Sequence, residues 1–119
     1  MKINDKMRLQ HMLDAAEEAI VFFADAKNES LEHNRLVSQA IVRSIEIVGE
    51  AASQLSKEFR ESNREVPWAQ IVGMRNRIVH AYFDVDYALV ESTVKYDFPV
   101  LIRQLNKIMS VFTKIQPEK

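Results

Sequence analysis

The chain lacks cysteine altogether, which removes disulfides, thiolate metal sites and cysteine nucleophiles and fits a reducing compartment. Glycine occurs only twice and proline three times in 119 residues, so turn formers are scarce, as in long helices rather than in a β domain. No apolar run approaches the roughly 18 residues of a membrane span, and the polar start shows no signal peptide. These absences predict a soluble, cytoplasmic, helical protein.

Charge and length restrict the kind of partner and the number of domains that the chain can have. The formal net charge is only -1, with 28% charged and 47% hydrophobic residues, a globular mixture without an acidic or basic tail. A nucleic acid, if one binds, must therefore use a local patch. The length fits one hydrophobic core, so we expect a single domain covering residues 1–119.

Two amphipathic helices are predicted in the first half, where apolar residues recur at spacings of three and four. The first begins near Met7 and is expected to end at the polar segment 27–30. The second carries an apolar stripe over residues 37–59, and the polar segment 60–65 is the expected loop after it. Both glycines, Gly49 in this helix and Gly73 in the next, lie inside predicted helices, where each costs about 1 kcal/mol relative to alanine. A close helix crossing would compensate for this cost, and the alternative for Gly49 is that it is incidental in a long, well-supported helix.

Two more helices are predicted in the second half. The third runs from Pro67, which is tolerated as a first helical residue, to about Ala81. Asp84 and Asp86 are candidate N-caps of a fourth helix, which Pro99 is expected to kink because its ring displaces a carbonyl one turn back. Such helices pack as a bundle. The predicted fold is therefore all-α, an antiparallel bundle of four to five helices.

The third predicted helix contains the stretch MRNRIVHAYF, residues 74–83, which concentrates polar side chains in an apolar segment. At about 100° per residue, Arg75 falls in the apolar stripe, where a core residue is expected. Asn76 and His80 lie one turn apart on a neighbouring face with Gly73, a face that can be approached closely. Arg75 and His80 are about 140° apart on an ideal helix. Either the arginine reaches around, or the helix distorts near its end, or one chain's arginine serves a second chain's histidine in a symmetric dimer.

Arginine and histidine together suit cleavage of an RNA phosphodiester. Histidine gives or takes a proton near neutral pH, while arginine presents a charged fork matched to phosphate oxygens. His80 would assist the 2′-hydroxyl or protonate the leaving oxygen, and Arg75 would stabilise the pentacoordinate phosphate, without a metal or cofactor. The alternative is purely structural: Arg75 pairs with Glu46 or Glu50, and His80 caps the helix end.

The same stretch resembles the signature of the HEPN superfamily, specifically of its HepT-like toxins. Their motif is an arginine, a spacer of four to six residues, a histidine, any residue and a tyrosine. Arg75, His80 and Tyr82 match this motif, and Asn76 occupies the polar position that follows the arginine. The likeness extends to residues 45–52 and to the turn before the last helix, so it covers nearly the whole chain as one HEPN domain.

The resemblance implies a homodimeric, metal-independent endoribonuclease, the toxin of a type VII-like toxin–antitoxin pair. Arg75 and His80 would be catalytic and Asn76 supporting, in a cleft between two protomers. The implied antitoxin is an MntA-like minimal nucleotidyltransferase that transfers AMP from ATP to Tyr82 and so keeps RNA out of the cleft. Packing of the Tyr82 ring on the core is the other role open to this residue.

Two other classes of function stay open beside the ribonuclease toxin. One is a catalytically silent HEPN subunit that binds nucleotide or acts as a scaffold for a nucleotidyltransferase, and the other is a plain helical interaction module. The intact arginine and histidine favour the toxin, because a scaffold needs no proton-transfer group. We expect no metal site, since His11 and His33 lack partners at ligand spacing. Further cations that could bind phosphates or merely solvate the surface are Lys57, Arg60, Arg64 and Arg77.

Overall fold

Helices account for most of the computed structural model, which describes residues 3–26, 30–81 and 84–115, without the side chains at 3, 81 and 112–115. The α-helices are α1 (Ile3–Asp25), α2 (Arg35–Ser53), α3 (Lys57–Ser62), α4 (Trp68–Ile78), α5 (Tyr87–Ser92) and α6 (Phe98–Ile115). A 3-10 turn covers Leu31–His33, a π-helical turn covers Thr93–Asp97, and two short strands are β1 (Val79–Ala81) and β2 (Asp84–Val85). The predicted all-α bundle is confirmed.

The helices bury one shared apolar core. α1 packs against α2 and α6, and α4 also packs against α2. The four longer helices, α1, α2, α4 and α6, contribute buried residues at the three- and four-residue spacing that places them on one face. The largest fully buried hydrophobic side chains are Leu9, Met12, Ile41, Ile45, Val48, Val66, Ile78, Val90, Val94, Phe98 and Leu105.

Capping side chains fix where α2 and α5 begin. The Asn34 side chain accepts a hydrogen bond from the Val37 N–H at the start of α2. The Asp86 side chain accepts one from the Leu89 N–H at the start of α5, as the sequence predicts for this residue. Such caps satisfy backbone donors that have no partner inside the helix.

The second predicted helix is interrupted, so its expected extent over residues 37–59 is wrong. α2 ends at Ser53, and Ser56 caps a separate short helix, α3, which extends into the segment 60–65 expected to be a loop. The buried Asp5 carboxylate of α1 accepts hydrogen bonds from the Ser56 N–H at 2.9 Å and from its hydroxyl at 2.7 Å. This contact crosses 51 residues, and an apolar stripe read along the chain cannot reveal it.

The third predicted helix is also shorter than expected. α4 ends at Ile78, and the chain continues as β1 instead of reaching Ala81 as a helix. β1 pairs antiparallel with β2, with Val79 opposite Val85. This pairing supplies backbone partners that compete with the last helical turn, and β-branched residues favour a strand.

The last helical stretch changes its winding just before Pro99. The Phe98 N–H donates to the Thr93 carbonyl, five residues back, within the π-helical turn. Proline lacks an N–H and its ring crowds the carbonyl four residues earlier, so a wider turn there relieves both problems. The kink expected at Pro99 stays a prediction.

The two glycines differ in what surrounds them. A Cβ at Gly49 would lie 3.3 Å from the Ile71 carbonyl oxygen and 3.5 Å from that of Val72. The close crossing expected at Gly49 is therefore present, between α2 and α4. At Gly73 the neighbour within that range is a guanidinium nitrogen of Arg77, at 3.2 Å. A close helix crossing does not explain Gly73 within the described protomer.

Candidate active site

Arg75 lies in the last turn of α4 and points across to α2. Its Nε donates to Glu46 Oε2 at 3.0 Å, with the two side chains 47% and 27% exposed. The other Glu46 oxygen lies 3.5 Å from Nη1 of Arg43, one turn earlier on α2. Glu46 is thus shared between two arginines. Arg75 therefore pairs with Glu46, one of the two glutamates that the sequence offered as its partner.

The expectation that Arg75 occupies the apolar stripe of its helix is wrong. The buried residues of α4 are Trp68, Ile71, Met74 and Ile78, whereas Arg75 is exposed and contacts Glu46 of α2. Val72, an apolar residue of the same helix, is 37% exposed. The reason is tertiary, because the crossing at Gly49 decides which face of α4 meets α2.

His80 lies on β1, beyond the end of α4, and is exposed. Val79 pairs with Val85 but Ala81 pairs with Asp84, so His80 is the extra residue of a β-bulge. Bulges occur beside active sites, where they change the direction of a side chain. On an ideal helix, Arg75 and His80 would point in widely different directions, and three explanations were open for this. The structure shows one of them, the distortion at the end of the helix.

Asn76 is exposed in the last turn of α4, next to Arg75. Among the described residues, no hydrogen bond or ion pair joins Arg75, Asn76 and His80 to one another. The fold brings the three residues to one end of α4 without assembling them into a bonded group. Tyr82, the fourth motif residue, lies outside the described residues.

Arg75 contributes to a surface groove between α2 and the segment from β1 to α5, with a volume of about 430 Å³. We call it the arginine groove. It is lined by Glu32, Arg35, Ser38, Gln39, Val42, Arg43, Glu46, Arg75, Val79, Val85 and Tyr87. Arg35, Arg43 and Tyr87 are not among the residues predicted from the sequence to form the site. Their polar or aromatic character was visible, but their proximity to Arg75 depends on how α2 packs against α4.

The other cations considered for phosphate binding lie elsewhere. Arg77 donates to the Gln70 carbonyl at 2.6 Å and lines a separate groove of about 240 Å³ between α4 and the α5–α6 stretch. Lys57 and Arg60 belong to α3. None of these residues lines the arginine groove.

Within residues 3–26, 30–81 and 84–115, no three or more His, Cys, Asp or Glu side chains are grouped as a metal ion would require. None of the helices in this part of the chain combines the length and apolar character needed to cross a membrane.

A helical bundle with exposed Arg75, Asn76 and His80 at the end of one helix defines an all-α protein with a polar surface site. A family model described as ribonuclease HepT-like matches residues 12–108, which contain all three residues and Tyr82. The chain belongs to this HepT-like ribonuclease family. The resemblance to HepT-like HEPN proteins is thereby confirmed.

Relatives from three organisms are similar over most of their length. A candidate RNase of Caldanaerobacter subterraneus subsp. tengcongensis is 38% identical over 101 residues, 85% of this chain and 90% of the relative. A candidate RNase of Methanocaldococcus jannaschii is 35% identical over 84% of this chain and 92% of the relative. A protein of Thermococcus cleftensis named as a probable ribonuclease HepT is 32% identical over 91% of this chain and 98% of the relative. No solved structure matches the chain.

Proposed function

We propose that this protein is a metal-independent endoribonuclease, the toxin of a HepT/MntA-type toxin–antitoxin pair. The observation that carries the proposal is the motif at the end of α4, where Arg75 and His80 are both exposed in a member of a ribonuclease family. Relatives named as RNases support the same reaction class. Residues 1–119 serve as one HEPN domain in this proposal.

The reaction needs only side chains of the motif. His80 takes the proton of the 2′-hydroxyl, or delivers one to the leaving 5′-oxygen, while Arg75 binds the non-bridging phosphate oxygens as charge builds on them. The 2′-oxygen forms a bond to phosphorus, and the bond to the 5′-oxygen breaks. The products are a 2′,3′-cyclic phosphate and a free 5′-hydroxyl. Asn76 supports the phosphate from the same helical turn.

We propose that two protomers complete the site. Arg75 lines the arginine groove whereas His80 does not, and the two residues are separated by the end of α4. In a two-fold dimer the arginine of one chain can face the histidine of the other, giving two equivalent sites in one cleft.

Tyr82 is the proposed point of control. It follows His80 by two residues, so AMP transferred to its hydroxyl by an MntA-like nucleotidyltransferase adds a phosphate and a purine beside the motif. The added phosphate competes with RNA for Arg75. Incubation with the nucleotidyltransferase and ATP should add AMP to the wild type and not to Tyr82→Phe. AMP addition to Tyr82→Phe at the wild-type level would contradict this assignment.

Cleavage of a labelled RNA in EDTA, by protein expressed without a nucleotidyltransferase, tests the ribonuclease itself. We expect cyclic phosphate ends, and losses of about 10²–10⁴-fold for His80→Ala and a comparable loss for Arg75→Ala. His11→Ala and Arg103→Ala, both exposed and outside the motif, are the matched controls and should cleave normally. Cleavage by His80→Ala at the wild-type rate would refute the catalytic assignment.

The catalytically silent subunit is the second candidate. The specific observation in its favour is the ion pair between Arg75 and Glu46, which already satisfies part of the arginine. In that case Arg75 holds α4 against α2, and the exposed motif serves as a docking surface for the nucleotidyltransferase. Absence of cleavage from folded, unmodified protein across several RNAs would favour it.

A further inference from the structure

The arginine groove carries more positive charge than the rest of the protein suggests. Three arginines line it against two glutamates, Glu32 and Glu46, in a chain whose formal net charge is -1. Glu46 already contacts both Arg43 and Arg75. The groove therefore keeps a surplus of cationic donors that suits a polyanion.

The arginines are spread along the groove rather than concentrated at one point. Arg35 and Arg43 are eight residues apart on α2, which corresponds to about 12 Å along the helix axis. Both are exposed, and Arg35 forms no ion pair with another described residue. Arg75 enters from α4. Such a row of guanidinium groups matches successive phosphates of a chain better than a single small anion.

An aromatic side chain shares the same groove. Tyr87, the first residue of α5, lines it and also packs against the core, which leaves the ring half-buried. A ring anchored in this way loses little freedom when a base stacks on it. Cationic grooves with aromatic side chains bind single-stranded nucleic acids, because phosphates bind the cations and unpaired bases stack on the rings.

We propose that the arginine groove binds the single-stranded RNA next to the cleaved phosphate. Arg35 and Arg43 bind backbone phosphates, and Tyr87 stacks on an unpaired base. The volume of about 430 Å³ is in the range of a site for one or a few small groups, and splayed, unpaired bases are what proteins read in RNA. This inference rests on the proposed ribonuclease function, since it places the substrate of that reaction.

The first test is binding of a fluorescein-labelled, fully 2′-O-methylated 12-nucleotide RNA, which lacks the attacking hydroxyl and cannot be cleaved. Fluorescence anisotropy at several salt concentrations gives the Kd and its salt dependence. We expect Arg35→Gln and Arg43→Gln to weaken binding at least fivefold, each reducing the log–log salt slope by about 0.7. Arg103→Gln, an exposed arginine of α6 outside the groove, should change the Kd less than twofold. Equal losses for all three variants would refute specific phosphate contacts.

The stacking role has its own pair of variants. Tyr87→Leu should weaken binding by about fivefold or more, whereas Tyr87→Phe keeps the ring and should bind as the wild type does. Because Tyr87 packs on the core, circular dichroism must first show that both variants are folded. If Tyr87→Leu unfolds the protein, Tyr87→Phe remains available for the test. Tyr96→Leu, an exposed tyrosine outside the groove, is the control. If Tyr87→Phe weakened RNA binding as much as Tyr87→Leu does, the stacking role of the ring would be refuted.

Comparison with cleavage separates this inference from the proposed function. Groove variants that lose binding, in a protein that never cleaves RNA, would support the groove and refute the ribonuclease. His80-dependent cleavage with unchanged binding and unchanged KM in every groove variant would support the ribonuclease and refute the groove. A structured duplex of equal length should bind more weakly than the single strand, and equal or tighter duplex binding would overturn the single-strand assignment.

Discussion

Glu46→Gln isolates the charge that faces Arg75. Glutamine keeps a side-chain oxygen that can accept the Arg75 Nε hydrogen but removes the carboxylate charge. The pair is short, at 3.0 Å, yet the side chains are 47% and 27% exposed, so water screens it. Exposed ion pairs contribute about 0.2–1 kcal/mol. We expect the free energy of unfolding to fall by less than about 1 kcal/mol, a loss of at most about 3–6 °C in Tm.

The effect on RNA should have the opposite sign. A phosphate bound to the free side of the Arg75 guanidinium would lie roughly 5–6 Å from the Glu46 carboxylate, where like charges repel by about 1 kcal/mol in water and by more where water is excluded. Removing 1 kcal/mol of repulsion corresponds to about a fivefold lower Kd. The gain should shrink as salt rises, because the screening length falls from about 30 Å at 0.01 M to about 8 Å at 0.15 M.

The assay is anisotropy with the uncleavable RNA, beside urea denaturation of the same samples. Glu50→Gln is the matched control, because it removes an equal charge one turn further along α2. Glu50 is exposed and lies outside the arginine groove. Binding by Glu46→Gln no tighter than by Glu50→Gln at low salt would refute the electrostatic reasoning. A stability loss above about 3 kcal/mol would also refute it, since that is the response of a buried ion pair.

Three further substitutions, in α1, α4 and α2, should affect the free energy of unfolding to different extents. Asp5→Ala should lower the free energy of unfolding by about 2 kcal/mol in urea denaturation, because the 2% exposed carboxylate accepts two hydrogen bonds from Ser56. Gly73→Ala should be neutral or stabilise by up to about 1 kcal/mol, since its new methyl meets only the movable Arg77 side chain. Gly49→Ala should be less stable than Gly73→Ala, because its methyl would meet a carbonyl oxygen of α4 at 3.3 Å.

The expected stability changes of the Asp5 and glycine variants are each compared with a control variant. Glu17→Ala, on the exposed face of α1, should change stability by less than about 0.5 kcal/mol, and an equal loss in both α1 variants would remove the special role of Asp5. For the glycines, a Gly49→Ala protein as stable as Gly73→Ala would show that the crossing of α2 and α4 adjusts freely.

Local patterns were sufficient to predict most of the fold. Scarce glycine and proline, with apolar residues at helical spacing, indicated a helical bundle. The motif predicted Arg75, Asn76 and His80 as site residues, and their exposure at the end of α4 agrees with a surface site. These signals act within one or two helical turns, so a single sequence carries them.

The errors came from contacts between distant segments. The break between α2 and α3 depends on Asp5, which the apolar stripe over this region does not include. The end of α4 depends on pairing with β2, and the exposure of Arg75 depends on how α4 crosses α2. The arginine groove is likewise assembled from α2, α4 and α5, so its membership could not be read from spacing along one helix.

Arg75 of one protomer is proposed to act with His80 of another, and mixing two inactive variants tests this shared site most directly. Arg75→Ala and His80→Ala, co-expressed with different affinity tags, form mixed dimers in which one site has both native residues. We predict that random mixing restores roughly a quarter of the wild-type RNA cleavage, and that purified mixed dimers restore roughly half. Mixed dimers that are folded yet as inactive as either parent would contradict the shared site, because a site within one protomer cannot be complemented in this way.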